Sequence, residues 1–173
     1  MRISSGFYLI LLIFISGCAI QSRQLNAFLE VIREPALDLK ASSWLARYSD
    51  YESVVYSVVT PDGILFSNSA GDQILFDGWA MRKVRGFGEF QLNINIEDVS
   101  NVRSFKMGTR VLSTHRCDQW EQRANLERTK YTQACSGLRE YKNSILVRDT
   151  GDISVIRQIV DNRYFALTLT KLE

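Results

Sequence analysis

The chain has little proline, little histidine and no large charge surplus, features that would help to assign it to a functional class. Its 173 residues include only two prolines and one histidine, and 21 basic residues nearly balance 19 acidic ones. The scarcity of proline and the 46% of hydrophobic residues exclude a disordered stalk and indicate a packed domain. The even charge balance argues against a nucleic-acid binder, which would carry a basic surplus on one face or helix.

Motifs of several enzyme classes are missing as well. The chain contains no GxSxG, no Walker loop and no GxGxxG pattern. His115 stands two residues before Cys117, but zinc would need four ligands in paired spacings, and a thiol nucleophile would need an oriented base. The aspartates lie mainly at predicted turns, where backbone geometry alone favours them. We therefore predict no catalytic residues, no cofactor and no metal.

The longest apolar stretch is too short to span a membrane. It covers residues 7–20 and is interrupted by Ser16 and Gly17, whereas a bilayer-crossing helix needs about 20 apolar residues. With Arg2 before it, the stretch has the layout of a secretory signal. An ordinary signal peptide without a lipid and an uncleaved anchor are the alternatives.

The end of this stretch, Ile15-Ser16-Gly17-Cys18, resembles the lipobox of bacterial lipoproteins. The resemblance implies that Cys18 becomes the acylated N-terminus, and two or more acyl chains hold a protein firmly to a lipid bilayer. Ala19 stands where family members retained in the inner membrane have aspartate, so the resemblance implies the outer membrane and its periplasmic face. The predicted segments are a signal peptide, a lipidated N-terminus and a single β-rich domain: residues 1–17, 18–21 and 22–173.

Lipidation of Cys18 leaves an even number of cysteines. Of the three cysteines only Cys117 and Cys135 then remain, and two thiols in an oxidising periplasm usually form a disulfide. Closing a loop of about 18 residues should stabilise the fold by about 3 kcal/mol. The chain between them is ambiguous: the composition of residues 119–129 favours a helix, whereas a hairpin centred on Leu126 would place the two cysteines opposite each other.

The spacing of apolar residues changes along the chain. Residues 22–33 have helical spacing, and a second helical pattern covers residues 37–48. From Tyr51 onward the period is two, with turn residues between short runs, and the predicted strands include residues 73–76, 102–107, 110–117 and 140–148. Residues 89–97 alternate most clearly and predict a half-buried antiparallel strand. We predict a mainly β fold: a curled antiparallel meander sheet, forming a half-barrel or sandwich, with one or two N-terminal helices packed on it.

Two further stretches resemble outer-membrane lipoproteins associated with capsule and exopolysaccharide export. Residues 108–120 form a glycine, a short strand and then Cys-Asp-Gln-Trp. Residues 141–158 form a strand, the turn Asp149-Thr150-Gly151 and a second strand. This resemblance implies an all-β accessory protein that has no catalytic residues to carry over.

Arg82, Lys83 and Arg85, close in sequence to Trp79, form a candidate surface for anionic sugars or lipid headgroups. A solvated strand face accounts for the same residues and is the plainer interpretation. We expect a non-catalytic lipoprotein in a structural or accessory role, with an unknown envelope protein or polysaccharide as its partner. The alternative is a carrier of lipid or another small ligand, which requires an apolar cavity inside the sheet.

Overall fold

The computed structural model describes residues 41–125 and 127–172. The predictions for the signal peptide, the lipidated N-terminus and the first helix lie outside the described residues. Within those residues the one helical element is a 3₁₀ turn at Gly88–Phe90. The thirteen strands are, in chain order, β1 (Ser43–Tyr48), β2 (Tyr51–Thr60), β3 (Gly63–Ser67), β4 (Gln73–Phe76), β5 (Met81–Gly86), β6 (Leu92–Val99), β7 (Val102–Met107), β8 (Arg110–Cys117), β9 (Glu121–Ala124), β10 (Arg128–Ser136), β11 (Glu140–Arg148), β12 (Ile153–Ile159) and β13 (Ala166–Lys171).

Alternation along each strand decides which side chains enter the interior. In β6, Leu92, Ile94 and Ile96 are buried, whereas Asn93 and Glu97 are exposed. Successive side chains of a strand point to opposite faces, so alternating apolar and polar residues give one buried face and one solvated face. The prediction of a half-buried strand is confirmed from Leu92 onward.

The strands form a closed antiparallel barrel of twelve strands, and β9 is an additional strand on β10. Consecutive strands pair from β1 to β8 and again from β10 to β13. Two long-range pairings, β13 with β1 and β10 with β8, complete the ring. The predicted half-barrel or sandwich is wrong, because both ends of the meander find a partner. Closure thereby pairs backbone groups that an open sheet would leave exposed at its edges.

The second predicted helix is wrong where the structure describes it. The strand β1 covers Ser43–Tyr48, and its buried residues are Trp44, Ala46 and Tyr48. It hydrogen-bonds to β2 on one side and to β13 on the other, so pairing with both neighbours outweighs the local helical spacing. Residues 41–125 and 127–172 contain no α-helix that could pack on the sheet. None of the helices in that part of the chain is long and apolar enough to cross a membrane.

Large side chains fill the interior of the barrel. Aromatic rings meet there edge to face, with centroid distances of 5.2 Å for Trp44 and Phe66 and 5.1 Å for Tyr48 and Phe90. Burial of one large apolar side chain contributes about 1.5–3 kcal/mol. Fully buried apolar side chains come from β1, β3, β4, β5, β7, β12 and β13: Tyr48, Phe66, Ile74, Phe76, Met81, Phe105, Ile156, Leu167 and Leu169.

Candidate functional site

A disulfide holds the seam between β8 and β10. Cys117 and Cys135 lie directly opposite each other, and only one further residue pair, Arg116 with Ser136, continues the ladder. The two cysteines are bonded, their Cα atoms are 4.1 Å apart, and both side chains are buried. The covalent bond therefore joins two strands that share few backbone contacts.

The chain between the two cysteines forms a hairpin, the second of the two structures that the sequence left open. The strand β9 follows β8 along the same edge of β10. Arg123 of β9 lies opposite Lys130 of β10. The side chain of Asn125 accepts a hydrogen bond of 2.9 Å from the backbone N–H of Arg128, which fixes the turn. The hairpin thus aligns the outward-facing residues of β9 and β10 side by side.

His115 lies on the inner face of β8 and is buried. Its Nδ1 is 2.8 Å from the hydroxyl of Tyr141, and its ring stacks on that of Tyr164 with a centroid distance of 5.1 Å. Burial lowers the pKa of His115, and the positive charge of Arg103 lowers this pKa further. Because Cys117 is bonded in the disulfide, His115 has no neighbouring thiolate to activate.

Two of the aspartates at turns, Asp72 and Asp161, are held by hydrogen bonds within the fold. Asp72 accepts hydrogen bonds from Ser53 Oγ at 2.7 Å and from the backbone N–H of Phe87 at 2.6 Å. Burial alone would raise the pKa of the Asp72 carboxyl, but its hydrogen bonds outweigh burial and lower that pKa. Asp161 likewise accepts a hydrogen bond of 2.7 Å from Arg163 Nε. Among the described residues, no cluster of three or more His, Cys, Asp or Glu could hold a metal ion.

The structure divides the candidate anionic-ligand surface of Arg82, Lys83 and Arg85. Lys83 and Arg85 lie on the outer face of β5, as the pairing with β6 requires. Arg82 is the extra residue of a bulge between β4 and β5. Its guanidinium binds Asp77 and, at 3.3 Å, Asp98. Arg82 is therefore already paired with two carboxylates, and a surface of the three cations that binds an anionic ligand stays a prediction.

Trp79 packs against aromatic residues near the seam. The turn between β4 and β5 brings Trp79 to Trp120, with a centroid distance of 5.6 Å, and to Tyr131 of β10, with 5.3 Å. Trp79 remains 48% exposed. The three rings connect two distant parts of the ring of strands, so their packing stabilises the barrel.

Four recesses lie on the outer face of the barrel along β9, β10 and β11, with volumes of about 330, 230, 540 and 410 Å³. Neighbouring recesses share lining residues: Lys142 lines the first and second, Lys130 the second and third, and Arg128 the third and fourth. They form one depression, which we call the outer groove. It follows β11 from Glu140 to Arg148, a distance of about 27 Å at 3.3–3.4 Å per residue.

Three cations, Arg123, Arg128 and Lys130, line the middle of the outer groove and are called the basic cluster. The recess of about 540 Å³ that contains all three has no acidic residue among its described lining. Arg128 contacts Glu127 at 3.6 Å, with both side chains more than half exposed, and such pairs stabilise little. Arg123 and Lys130 form no ion pair with any carboxylate that the structure describes.

A solved structure of different sequence has a similar fold. It is the crystal structure of the hypothetical lipoprotein YmcC from Escherichia coli, with a TM-score of 0.55 and 13% sequence identity over 100% of this chain and 97% of that chain. At this identity the likeness shows a shared fold. No protein-family model matches the chain, and no curated protein matches it. The resemblance to capsule and exopolysaccharide export lipoproteins gains no support from these comparisons.

Sequence reasoning missed the basic cluster because its register depends on one extra residue. A hairpin centred on Leu126 would place Arg123 opposite Thr129, but the structure pairs Arg123 with Lys130. Cys117 pairs with Cys135, and Glu121 pairs with Thr132. Three residues lie between Cys117 and Glu121, but only two lie between Thr132 and Cys135, so the pairing shifts by one residue. The hairpin alternative thus predicts adjacent cations here to within one residue.

Proposed function

We propose that the protein is an envelope lipoprotein with a non-catalytic binding role, held on the periplasmic face of the outer membrane by an acylated Cys18. The lipobox-like residues 15–18 support the anchor. The fold shared with the hypothetical lipoprotein YmcC is compatible with it. A disulfide between Cys117 and Cys135 suits a compartment that oxidises thiols.

The filled interior of the barrel is the observation that carries this proposal. A lipid carrier would need an apolar cavity inside the sheet, but side chains such as Phe66, Phe105 and Leu169 occupy that space and are fully buried. The outer groove instead offers solvent-facing recesses of up to about 540 Å³, a size at which proteins bind ligands. A ligand or partner held on the outside is therefore favoured over one carried inside.

Within this role we propose an accessory function in polysaccharide export, with an envelope protein or a polysaccharide as the partner. The sequence resemblance of residues 108–120 and 141–158 supports this function. The second of these stretches includes β11, which runs along the outer groove. One side of the groove therefore lies in a stretch that carries the resemblance, whereas its cations Arg123, Arg128 and Lys130 lie between the two stretches.

Replacing the lipidated cysteine tests both parts of the proposal in one strain. In a host that lacks the gene, the wild-type chain should sediment with membranes after a carbonate wash and should restore surface polysaccharide. Cys18→Ser should be released in soluble form, because its acyl chains are absent, and should restore less polysaccharide. A matched control, Ser22→Ala, should behave like wild type.

Two outcomes would contradict the proposal, and they are distinguishable. If Cys18→Ser stays in the washed membranes, the lipid anchor is wrong. If deletion of the gene leaves the amount of surface polysaccharide unchanged, the export role is wrong, whereas the anchor stands.

A further inference from the structure

We propose that the outer groove binds an acidic polysaccharide, whose carboxylate or phosphate groups are held by the basic cluster of Arg123, Arg128 and Lys130. This inference rests on the proposed function, because it names the ligand class of the same binding role. Three observations support this ligand class: the charge of the groove, its length and the chemistry of its lining.

The first step is the unfavourable charge arrangement in the empty groove. Arg123 lies directly opposite Lys130 on adjacent strands, and like charges at directly opposed positions of a sheet destabilise it. Asp118 and Glu121 line a neighbouring recess together with these two cations, but neither carboxylate forms an ion pair with them in the part of the chain that the structure describes. A bound anion would remove the repulsion and form charge-assisted hydrogen bonds to the guanidinium groups.

The second step is the shape of the groove. Its recesses share lining residues from Glu140 at one end of β11 to Arg148 at the other. A continuous path of about 27 Å suits a chain-like ligand better than a single small molecule.

The third step is what the lining offers for recognition. Both edges of β10 and of β11 are hydrogen-bonded to neighbouring strands, so the strand edge left open beside the groove is that of the four-residue β9. An extended peptide that adds to a sheet needs free backbone groups at a strand edge. A polysaccharide is recognised through side chains, and the groove places hydroxyl and amide groups beside the cations, in Asn125, Thr132 and Ser144.

The groove also differs along its length. At the end formed by Arg116 and Lys142, the acidic residues Asp118 and Glu140 line the same recess. Mixed charges there favour hydroxyl groups over a charged substituent. We therefore place the anionic group of the ligand at the basic cluster and uncharged sugar residues toward Glu140.

Binding of defined polymers to the full chain with Cys18→Ser, purified from the periplasm, tests the inference. The probes are polygalacturonate, which carries carboxylates, a phosphomannan, which carries phosphates, and neutral dextran. At least one of the two acidic polymers should bind, and dextran should not. Arg123→Gln combined with Lys130→Gln should weaken that binding about tenfold or more, because charge-assisted contacts are lost.

The matched control is Lys83→Gln combined with Arg85→Gln, which removes the same charge from the outer face of β5. This control should bind as the parent chain does, and thermal unfolding should show that both variants remain folded. An equal loss of binding in the control would mean that the ligand follows overall charge, and the inference would be overturned.

Further outcomes would also overturn the inference. One is that neither acidic polymer binds; another is that binding is independent of the basic cluster. A third is that binding of phosphatidylglycerol vesicles or of polyglutamate depends on Arg123 and Lys130, whereas binding of neither polysaccharide does. Because these measurements use purified protein, they can fail while membrane anchoring and export behave as proposed, so the two failures are distinguishable.

Discussion

The ring of strands is closed at two long-range pairings, and these closures depend on different interactions. The strands β1 and β13 pair over five residues, from Trp44–Lys171 to Tyr48–Leu167. The strands β8 and β10 pair over two residues and are joined by a disulfide. The first closure is a ladder of backbone hydrogen bonds over an apolar core, and the second is short and covalent.

The side chains inside each closure account for this difference. Behind β1 and β13, residues such as Ala46 and Leu169 are fully buried and apolar. Behind the seam the buried residues are polar: Asn143 donates to Gln133 at 3.2 Å and accepts from the backbone N–H of Ile159 at 3.0 Å. A net hydrogen bond contributes about 0.5–1.5 kcal/mol, less than burial of a large apolar side chain. A polar interior and a short ladder leave the seam dependent on its covalent bond.

The largest effect should come from opening the apolar closure. Leu169 is fully buried between Ala46 of β1 and Ile156 of β12, so Leu169→Ala should lower the free energy of unfolding by about 4 kcal/mol through lost burial and the cavity left behind. The matched control is Thr168→Ala, an outward-facing neighbour, which should cost no more than about 0.5 kcal/mol. Urea denaturation measures both, and equal losses would contradict an apolar closure.

The disulfide should contribute somewhat less than Leu169. Replacing both Cys117 and Cys135 with serine removes a cross-link across a sequence separation of 18 residues and should lower the free energy of unfolding by about 3 kcal/mol. Wild-type protein unfolded in reducing buffer should give the same value as the double variant. If neither treatment changes the urea midpoint, the polar seam holds without its covalent bond, and the contrast between the closures is wrong.

The same contrast explains which parts of the fold the sequence predicted. Period-two runs and turn residues are local signals, and four predicted strands match the structure at both ends: Gln73–Phe76, Val102–Met107, Arg110–Cys117 and Glu140–Arg148. The apolar closure is not local, because Trp44 and Lys171 are distant in sequence. Nothing in the spacing of Trp44 and Tyr48 indicates β13 as a partner, so the local pattern predicts a helix in place of β1 and an open sheet in place of the barrel.

The candidate site depended on the same distinction. Arg82, Lys83 and Arg85 are neighbours in sequence, but the bulge at Arg82 turns its guanidinium to Asp77 and Asp98. The cations of the basic cluster are adjacent only because the hairpin register brings Arg123 and Lys130 together. Charge proximity in a sheet follows from strand pairing, which composition and local spacing do not determine.

The smallest expected effect is a pH dependence confined to the seam. His115 is the only histidine of the chain, and burial, together with the charge of Arg103, lowers its pKa below the ordinary value of about 6.5. At a pH between the folded and unfolded pKa values, the unfolded state binds the proton and the folded state does not, so stability falls as the pH drops below about 6.5. The slope should not exceed about 1.4 kcal/mol per pH unit, the value for one proton. His115→Gln keeps a polar group beside Tyr141 and should flatten this slope even if it lowers stability at every pH. Urea unfolding at several pH values measures the slope, and an equally steep slope in His115→Gln would assign the acid sensitivity to carboxylates elsewhere in the barrel.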